Sequence, residues 1–379
     1  MYACRLPRAV YAGEGALEIL SAPLIPCEKV AVFGDRGVEK AGGLARPLAL
    51  LRRAGHDVAL LLDIPAEPTC EQAQEAVDAF RETGAGAIVA IGGGSVMDVA
   101  KLCSVVGREH TVRELLDDAS LARRSGFAVM VPTTAGTGAE ATPNSIVAVP
   151  EKALKVGIVS DEMLPDAVVL DGELLRGLPA GVAASTGVDA LCHAIECFTS
   201  RKATPFSDLY ALEALRLIFD NIEPACLEAG DMAAKNAMLR AAYYAGVAIS
   251  CSGTTAVHAL SYPLGGKYRI PHGVANAMLL MPVMRFNFDA CREDLARVYD
   301  GLGRTGAADK AAWVLGRMED IVRALHIPTR LDAYGVSADD LDSLVAAGMD
   351  VQRLLVNNKR RVTAVDARRL YRELLEGGA

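Results

Sequence analysis

Residues 87–101 read AIVAIGGGSVMDVAK, and this stretch decides the fold of the first half of the chain. Its opening apolar residues lack polar alternation, which suits a strand buried on both faces of a parallel sheet. Glycines at a strand-to-helix turn let the backbone approach a ligand, and the N–H groups of the helix start favour an anion. The stretch predicts a phosphate or pyrophosphate site, although its spacing matches neither the Rossmann nor the P-loop motif. The alternative is a plain turn with Ser95 as N-cap.

Further apolar runs alternate with helical patterns around this stretch. They are KVAVFG at 29–34, DVALLL at 57–62 and FAVMV at 127–131, with helical periodicity over 38–54 and 71–83. Alternating strands and helices predict a doubly wound α/β domain. Beyond about Pro179 the pattern predicts helices over 181–199, 206–222, 231–250, 273–285 and much of the chain after 291, with a Gly/Pro loop over 263–273. We therefore predict an α/β domain over 1–180 and an all-helical domain over 181–379.

Composition excludes several classes of function. The chain has 379 residues, and 39 Lys and Arg against 47 Asp and Glu give a net charge of −8. This balance argues against a general binder of nucleic acid or anionic membranes. No run of about 18 apolar residues and no signal-peptide pattern occurs, so we expect no membrane span and a cytoplasmic location. The nine cysteines contain no C-x-x-C and are expected to be buried thiols, not a disulfide framework.

A second small, polar loop, PTTAGTGAE at 132–140, follows the last of these strands. Its threonines and glycines suit a ribose or a phosphate, and the alternative is a turn whose hydroxyls satisfy local backbone groups. Ligands of open α/β sheets bind at the carboxyl ends of the strands. Two such loops in one sheet therefore favour a nucleotide site.

The placement of the six histidines suggests a metal site. Asp189 and His193 form an i, i+4 pair on a predicted helix. His258 follows in the segment AVHALSYPLGG, and His272 lies in IPHGVANAM, where a loop is predicted to lead into a helix. One carboxylate with three imidazoles suits Fe²⁺ or Zn²⁺ and leaves room for a substrate oxygen. The alternative is that each histidine is a hydrogen-bonded packing residue. The remaining three are interpreted as structural: His56, His110 and His326.

Four segments together resemble the iron-containing (group III) alcohol dehydrogenases. They are IGGGSVMDVAK, VPTTAGTGAEATPNSIV, TGVDALCHAIECFTS and HALSYPLGGKYRIPHGVANAMLL, and the resemblance extends to the terminal NNKRRVT. It implies the family fold, with a dinucleotide-binding α/β domain, a helical domain and the active site between them. It also implies that the metal ligands are Asp189, His193, His258 and His272. The cofactor positions it implies are Asp35, Gly93, Gly94, Ser95, Asp98, Thr133, Thr134, Thr137, Asn144 and Lys155.

Asp35 bears on the choice of cofactor. It matches an acidic position that would repel a 2′-phosphate, so the resemblance favours NAD(H) over NADP(H). The adjacent Arg36 works against this preference, because an arginine can pair with such a phosphate.

Two departures from the family pattern lie near the expected substrate pocket. Tyr262 stands where many relatives carry a second histidine, and SGTT at 252–255 replaces a more apolar segment. Tyr262 is therefore a candidate catalytic residue in proton relay or positioning. A polar aldehyde bearing a carboxylate, phosphonate or sulfonate is one hypothesis that these departures suggest.

The resemblance implies hydride transfer between a small primary alcohol or its aldehyde and NAD(H), with the metal as Lewis acid. The enzymatic alternatives are a zinc polyol dehydrogenase, a maleylacetate reductase or a dehydroquinate synthase-like lyase. Lys267 and Arg269 are too few basic residues for the lyase, and four intact ligands argue against the maleylacetate reductase. A nucleotide-binding structural protein without catalysis is the remaining alternative. The family also implies a homodimer or higher homo-oligomer, for which residues 2–10 could supply an exchanged strand.

Overall fold

The structure is a computed structural model that describes residues 2–152 and 154–377. The chain divides into two compact units, one of Arg5–Pro179 and one of residues 180–377 together with residues 2–4. The predicted boundary followed residue 180, and the division in the structure follows Pro179. Within the described ranges, no helix is both long and apolar enough to cross a membrane.

The first unit is built on a parallel sheet. Its strands are β1 (Ala9–Ala12), β2 (Lys29–Phe33), β3 (Asp57–Leu61), β4 (Ala87–Gly92), β5 (Phe127–Pro132), β6 (Asn144–Val149), β7 (Leu154–Val159) and β8 (Ala167–Leu170). Six of them form the sheet in the order β1-β8-β5-β4-β2-β3, and β6 pairs with β7 in a separate antiparallel hairpin. The four strands predicted from apolar runs are confirmed as β2 to β5.

Alternate residues of these strands enter two different hydrophobic cores. Val30 and Val32 of β2 belong to one core, while Ala31 and Phe33 belong to the other. A parallel strand that packs against both layers has no solvent-facing side, which explains its unbroken apolar sequence. The predicted doubly wound α/β fold is confirmed.

Helices cover the sheet of this unit. They are α1 (Arg36–Lys40), α2 (Ala45–Arg53), α3 (Cys70–Thr83), α4 (Gly94–Val105) and α5 (Val112–Asp117). The prediction of one helix over 38–54 is wrong, because Gly42 adopts φ 80° and separates α1 from α2. A left-handed residue cannot continue a right-handed helix, and glycine adopts this conformation at little cost.

The second unit is helical. Its helices are α6 (Ala180–Phe198), α7 (Pro205–Leu227), α8 (Met232–Ser252), α9 (Ala256–Tyr268), α10 (His272–Gly301), α11 (Lys310–Ala324), α12 (Leu341–Asp350), α13 (Gln352–Leu355) and α14 (Ala364–Glu376). α6 packs against α7, α8 and α10 and is buried on nearly all sides beyond its first turns. A helix that is apolar all round belongs in the core of its unit, and α6 fills that place.

The loop predicted over 263–273 is wrong for its first half. α9 continues through Pro263 to Tyr268 and ends at Arg269, which adopts a left-handed φ of 55°. Pro263 and Leu264 are buried. Their burial outweighs the hydrogen bond that proline removes from the helix.

One pair of cysteines departs from the prediction that all nine are thiols. Cys4 and Cys251 form a disulfide, with Cα atoms 5.2 Å apart. The pair links residues 2–4 to the end of α8, and the other seven cysteines are free. A single bridge over a separation of 247 residues could not be inferred from spacing.

Candidate active site

α6 supplies the first two polar groups of the site. Asp189 and His193 are 1% and 5% exposed, and His193 Nδ1 lies 4.0 Å from Asp189 Oδ2. The i, i+4 spacing directs both side chains to one face of the helix. A carboxylate buried in an apolar helix is costly unless a partner compensates for its lost hydration.

His258 on α9 is held by a second acidic residue of α6. Glu196, 1% exposed, has one carboxylate oxygen that accepts hydrogen bonds from the backbone N–H groups of Thr255 (3.0 Å) and Val257 (2.8 Å) and from the Thr255 hydroxyl (2.5 Å). Its other oxygen accepts the hydrogen bond of His258 Nδ1. Because a carboxylate only accepts, Nδ1 carries the proton and the Nε2 lone pair is left for a ligand.

His272 begins α10, and its neighbour brings that helix close to α6. A Cβ atom added at Gly273 would lie 2.5 Å from the Ser185 carbonyl oxygen. Only glycine permits this approach of backbone to backbone. The contact places His272 Nε2 3.8 Å from Asp189 Oδ1.

The four predicted metal ligands converge in the structure. Asp189, His193, His258 and His272 each offer one ligand atom, and these atoms all lie within 4.8 Å of one another. The rings of His193 and His258 stack with centroids 4.5 Å apart. Residues on three helices, up to 83 positions apart in the sequence, therefore form one cluster.

The cluster fits a divalent cation. The Asn276 amide Nδ2 lies 2.7 Å from Asp189 Oδ1, 3.0 Å from His258 Nε2 and 3.1 Å from His272 Nε2. Three acceptors thus direct lone pairs at a single point, while the buried Asn276 Oδ1 has no hydrogen-bond partner among the described residues. One carboxylate and three imidazoles are a ligand set that Fe²⁺ and Zn²⁺ both accept.

Electrostatics favour an ionised carboxylate at this point. Burial raises the pKa of Asp189, but the charges of the three histidines and the Asn276 hydrogen bond outweigh burial and hold the pKa below its ordinary value. Burial lowers the pKa of His258, and the Glu196 carboxylate more than reverses that effect, so the net shift is upward.

Tyr262, the residue that departs from the family pattern, lies beside the cluster. It is one turn after His258 on α9, and its ring centroid is 6.2 Å from that of His272. Burial raises the pKa of its hydroxyl, and Arg353, which donates a hydrogen bond to the hydroxyl oxygen (3.2 Å), lowers that pKa only in part. Tyr262 therefore keeps its proton near neutral pH and is able to donate a hydrogen bond.

The segment at 252–255, the second departure, is buried and tied to its surroundings. Besides the Thr255 contacts with Glu196, the Ser252 hydroxyl lies 3.1 Å from the Ala248 carbonyl oxygen, and the Thr254 carbonyl accepts a hydrogen bond from Asn357 (3.0 Å). The Thr255 contacts with Glu196 position the start of α9 and hence His258, while the Ser252 hydroxyl binds within the end of α8.

In the α/β unit the two small-residue loops lie against each other. A Cβ atom added at Gly94 would lie 2.8 Å from Thr137 Cγ2, and one at Gly93 would lie 3.5 Å from Thr134 Oγ1. Thr133 N–H donates to the Gly92 carbonyl (3.0 Å). Gly93 is the N-cap of α4, and no described side chain caps that helix. The first N–H groups of α4 are thus available to an anion, and the interpretation of Ser95 as N-cap is wrong.

Ser95 and Lys155 meet through Glu67. The Glu67 N–H donates to Ser95 Oγ (3.0 Å), and Lys155 Nζ lies 2.7 Å from Glu67 Oε1. Glu67 adopts φ 52°, a left-handed conformation that costs energy for a residue with a side chain.

Asp98 and Asn144 contact a buried lysine. Lys101 is fully buried, with its Nζ 2.9 Å from Asp98 Oδ1 and hydrogen-bonded to the Asn144 carbonyl. Asp98 Oδ2 also accepts the N–H of Ile146 (3.0 Å). These contacts fasten the β6–β7 hairpin to α4.

Asp35 lies at the carboxyl end of β2, the strand next to β4. Its Oδ1 caps α1 by accepting the Val38 N–H at 2.9 Å. Arg36 pairs with Asp63 (2.9 Å) and Glu39 (3.0 Å). Because the Arg36 guanidinium already pairs with two carboxylates, it is less available to bind the 2′-phosphate of NADP(H). The argument from Arg36 against NAD(H) is therefore weaker.

Three residues of the site were not identified from the sequence: Glu196, Asn276 and Arg353. Helical spacing could have found the first two, since Glu196 follows Asp189 by seven residues and Asn276 follows His272 by four. Arg353 is 91 residues from Tyr262, and no local pattern connects them.

The α/β unit thus offers helix N–H groups to an anion, and the helical unit offers one carboxylate and three imidazoles to a divalent metal ion. Comparison with known families gives two matches, the iron-containing alcohol dehydrogenase model over residues 7–172 and the C-terminal model of the Fe-containing alcohol dehydrogenase family over residues 183–375. The chain belongs to the iron-containing alcohol dehydrogenase family.

Individual relatives agree with this assignment. The chain is 30% identical to long-chain-alcohol dehydrogenase 1 of Geobacillus thermodenitrificans, over 98% of the chain and 96% of the relative. It superposes on the structure of a 1,3-propanediol oxidoreductase with a TM-score of 0.93 and 29% identity, over 99% and 100%. It also superposes on sulfoacetaldehyde reductase from Bifidobacterium kashiwanohense in complex with NAD⁺, with a TM-score of 0.87 and 27% identity, over 99% of the chain and 98% of the relative. The chain is an enzyme that links alcohol and aldehyde interconversion to NAD(H), and iron is its family's metal.

Proposed function

We propose that this enzyme interconverts small primary alcohols and aldehydes at a metal centre held by Asp189, His193, His258 and His272. The observation that carries the proposal is the convergence of these four ligand atoms within 4.8 Å. When bound there, Fe²⁺ supplies a Lewis acid for the substrate oxygen, and Zn²⁺ is an alternative that the same ligands accept.

The side chains around the ligands keep the centre in working geometry. Glu196 fixes the ring of His258 and its tautomer, and Gly273 lets His272 approach Asp189. Tyr262 contributes a protonated hydroxyl beside His272, which suits it to position the substrate or to relay its proton to solvent. Fixing ligand orientation beforehand lowers the entropy cost of bringing the reacting groups together.

We propose that the α/β unit binds NAD(H) through the two adjacent loops. Gly93, Gly94 and the start of α4 receive the pyrophosphate, Ser95 and the hydroxyls of the threonine loop line the pocket, and Asp35 faces a ribose. The nicotinamide supplies or accepts the hydride. A carboxylate at the ribose disfavours a 2′-phosphate by like-charge repulsion, so NAD(H) is preferred to NADP(H).

The substrate class is narrowed by the surroundings of the centre and by one relative. The relative from Bifidobacterium kashiwanohense is a sulfoacetaldehyde reductase, and sulfoacetaldehyde carries a sulfonate. Tyr262 and Arg353 give the present chain a polar contact beside its centre. We propose polar short-chain aldehydes as substrates. The enzyme would act as a cytoplasmic homodimer or larger homo-oligomer.

The test is NADH oxidation by anaerobically Fe²⁺-loaded enzyme against a panel of aldehydes. NADPH, Zn²⁺-loaded and chelator-treated samples serve as controls. We expect turnover that needs metal and prefers NADH. Absence of turnover with every aldehyde, although NADH binds, would contradict the proposed reaction.

A further inference from the structure

We propose that Arg353, placed by Tyr262, is an anion-binding subsite that selects short aldehydes carrying a carboxylate or sulfonate at the end remote from the carbonyl group. This inference rests on the proposed function, because it assigns a substrate class to the same metal centre. Arg353 would act in specificity, by binding the unreactive end of the substrate.

The geometry connects Arg353 to the metal centre through one aromatic ring. The Tyr262 ring centroid lies 6.2 Å from that of His272, and the Arg353 guanidinium carbon lies 5.8 Å from the Tyr262 centroid. Arg353 Nη2 also donates to the Tyr262 hydroxyl at 3.2 Å. One hydrogen bond and one cation–π contact therefore hold the guanidinium on the tyrosine.

Arg353 lacks the carboxylate partner that several arginines of the helical unit have. Arg285 pairs with Glu319, Arg317 with Glu223, and Arg330 with Asp332. Within residues 2–152 and 154–377, no carboxylate lies within ion-pair distance of Arg353, whose side chain is exposed. The guanidinium has used one donor on Tyr262 and has others left for a ligand.

The chemistry of the guanidinium selects the ligand. Its planar array of donors matches two oxygens of one carboxylate or sulfonate, and such charge-assisted pairs are stronger than neutral hydrogen bonds. A neutral aldehyde of equal length would leave these donors to water. The separations of 6.2 Å and 5.8 Å on the two sides of the Tyr262 ring limit the length of chain that could place its carbonyl oxygen at the metal ligands and its anion at Arg353.

The wild-type enzyme gives the first test. We would measure kcat/KM with NADH for 4-oxobutanoate against butanal, which have equal carbon number, and for sulfoacetaldehyde against acetaldehyde. The expected preference for each anionic aldehyde is about 10- to 100-fold, the value of a charge-assisted pair. It should shrink with added salt. The two pairs of substrates distinguish a carboxylate from a sulfonate as the natural group.

Substitution of the arginine gives the second test. Arg353→Gln should raise KM for the anionic aldehydes by about 10- to 100-fold, because the lost contact is made equally in ground and transition states. Activity with butanal should fall by a smaller factor, so the ratio of kcat/KM for 4-oxobutanoate to kcat/KM for butanal is the readout of the anion subsite. Arg353→Lys keeps the charge without the planar fork and should restore part of the preference. Arg372→Gln, at an exposed arginine of α14, is the matched control and should change neither substrate.

The outcomes separate this inference from the proposed function. Equal kcat/KM for butanal and 4-oxobutanoate in the wild type, or a preference that survives in Arg353→Gln, overturns the anion subsite while aldehyde reduction stands. Silence with all four aldehydes contradicts the proposed function itself. If Arg353→Gln loses butanal activity as well, the wild-type substrate ratio and its salt dependence decide the question without any variant.

Discussion

The two ligand-binding regions of this enzyme are constructed in opposite ways. The nucleotide loops of the α/β unit rely on backbone and on missing side chains, with Gly93 and Gly94 packed against threonine hydroxyls. The metal centre of the helical unit relies on side chains from α6, α9 and α10, each held by further contacts. The first region binds by leaving room for a ligand, and the second by supplying atoms to it.

This difference predicts which substitutions each region tolerates. Adding atoms should damage the nucleotide loops, because their glycines already approach neighbouring atoms closely. Removing atoms should damage the metal centre, because each ligand contributes a separate bond. Gly273 is an exception within the metal region, since the approach of α10 to α6 depends on a missing Cβ atom.

The largest effect is expected from removal of a ligand. His258→Ala should reduce bound metal well below one ion per chain and lower kcat/KM by about 1,000-fold or more, because the Lewis acid is lost. Metal analysis would measure the bound metal, and NADH titration should show that the affinity for the cofactor is unchanged. His110→Ala, in the other unit, is the control. Full metal content in His258→Ala would remove this residue from the ligand set.

Addition of one methyl group should damage the nucleotide loops. In Gly94→Ala the new Cβ would lie 2.8 Å from Thr137 Cγ2, so the two loops must separate. Overpacking of this kind costs roughly 1–3 kcal/mol, which corresponds to about 10- to 100-fold in NADH affinity. Gly177→Ala, whose new atom would meet its nearest neighbour at an ordinary 3.6 Å, is the matched control. Unchanged NADH affinity in Gly94→Ala would contradict the idea that the nucleotide loops depend on missing side chains.

A side chain that holds a ligand should matter less than the ligand itself. Glu196→Gln keeps the shape but replaces the carboxylate that accepts the His258 Nδ1 proton. We expect metal affinity to fall at least about 10-fold, because the single amide oxygen can replace only one of the two carboxylate oxygens that accept hydrogen bonds here. Competition with a chelator would measure it. Recovery of activity at high Fe²⁺ would show that positioning is the role of Glu196, whereas a loss that metal does not reverse would contradict it.

The predictability of the site follows the same contrast. The i, i+4 pair Asp189 and His193 and the glycine loop are local patterns, and their positions on α6 and at the end of β4 could be predicted. The packing of His258 and His272 against that pair depends on three helices and on Gly273, and the residue pattern alone left a shared metal site as one of two alternatives until the family resemblance implied it.

Burial explains the errors of secondary-structure prediction. Pro263 lies within α9 because tertiary packing outweighs a local breaking signal, while Gly42 breaks a predicted helix in an exposed segment without such packing. Proline and glycine therefore misled the prediction in opposite ways. A loop was predicted where the helix continues through Pro263, and the end of a helix at Gly42 was not predicted.

The smallest effect should come from the one nucleotide contact that depends on charge. Asp35→Asn retains the cap of α1, since asparagine accepts the Val38 N–H as aspartate does, so the fold should be unaffected. The amide lacks the negative charge that repels a 2′-phosphate and binds the ribose more weakly. We expect the NADH-to-NADPH preference in kcat/KM to fall about 10-fold, the difference between a charged and a neutral hydrogen bond. The shift should be modest because Arg36 remains paired with Asp63 and Glu39 and does not turn to the phosphate. An unchanged preference would mean that Asp35 only caps its helix, and that cofactor choice, like the rest of this region, is decided by space and not by charge.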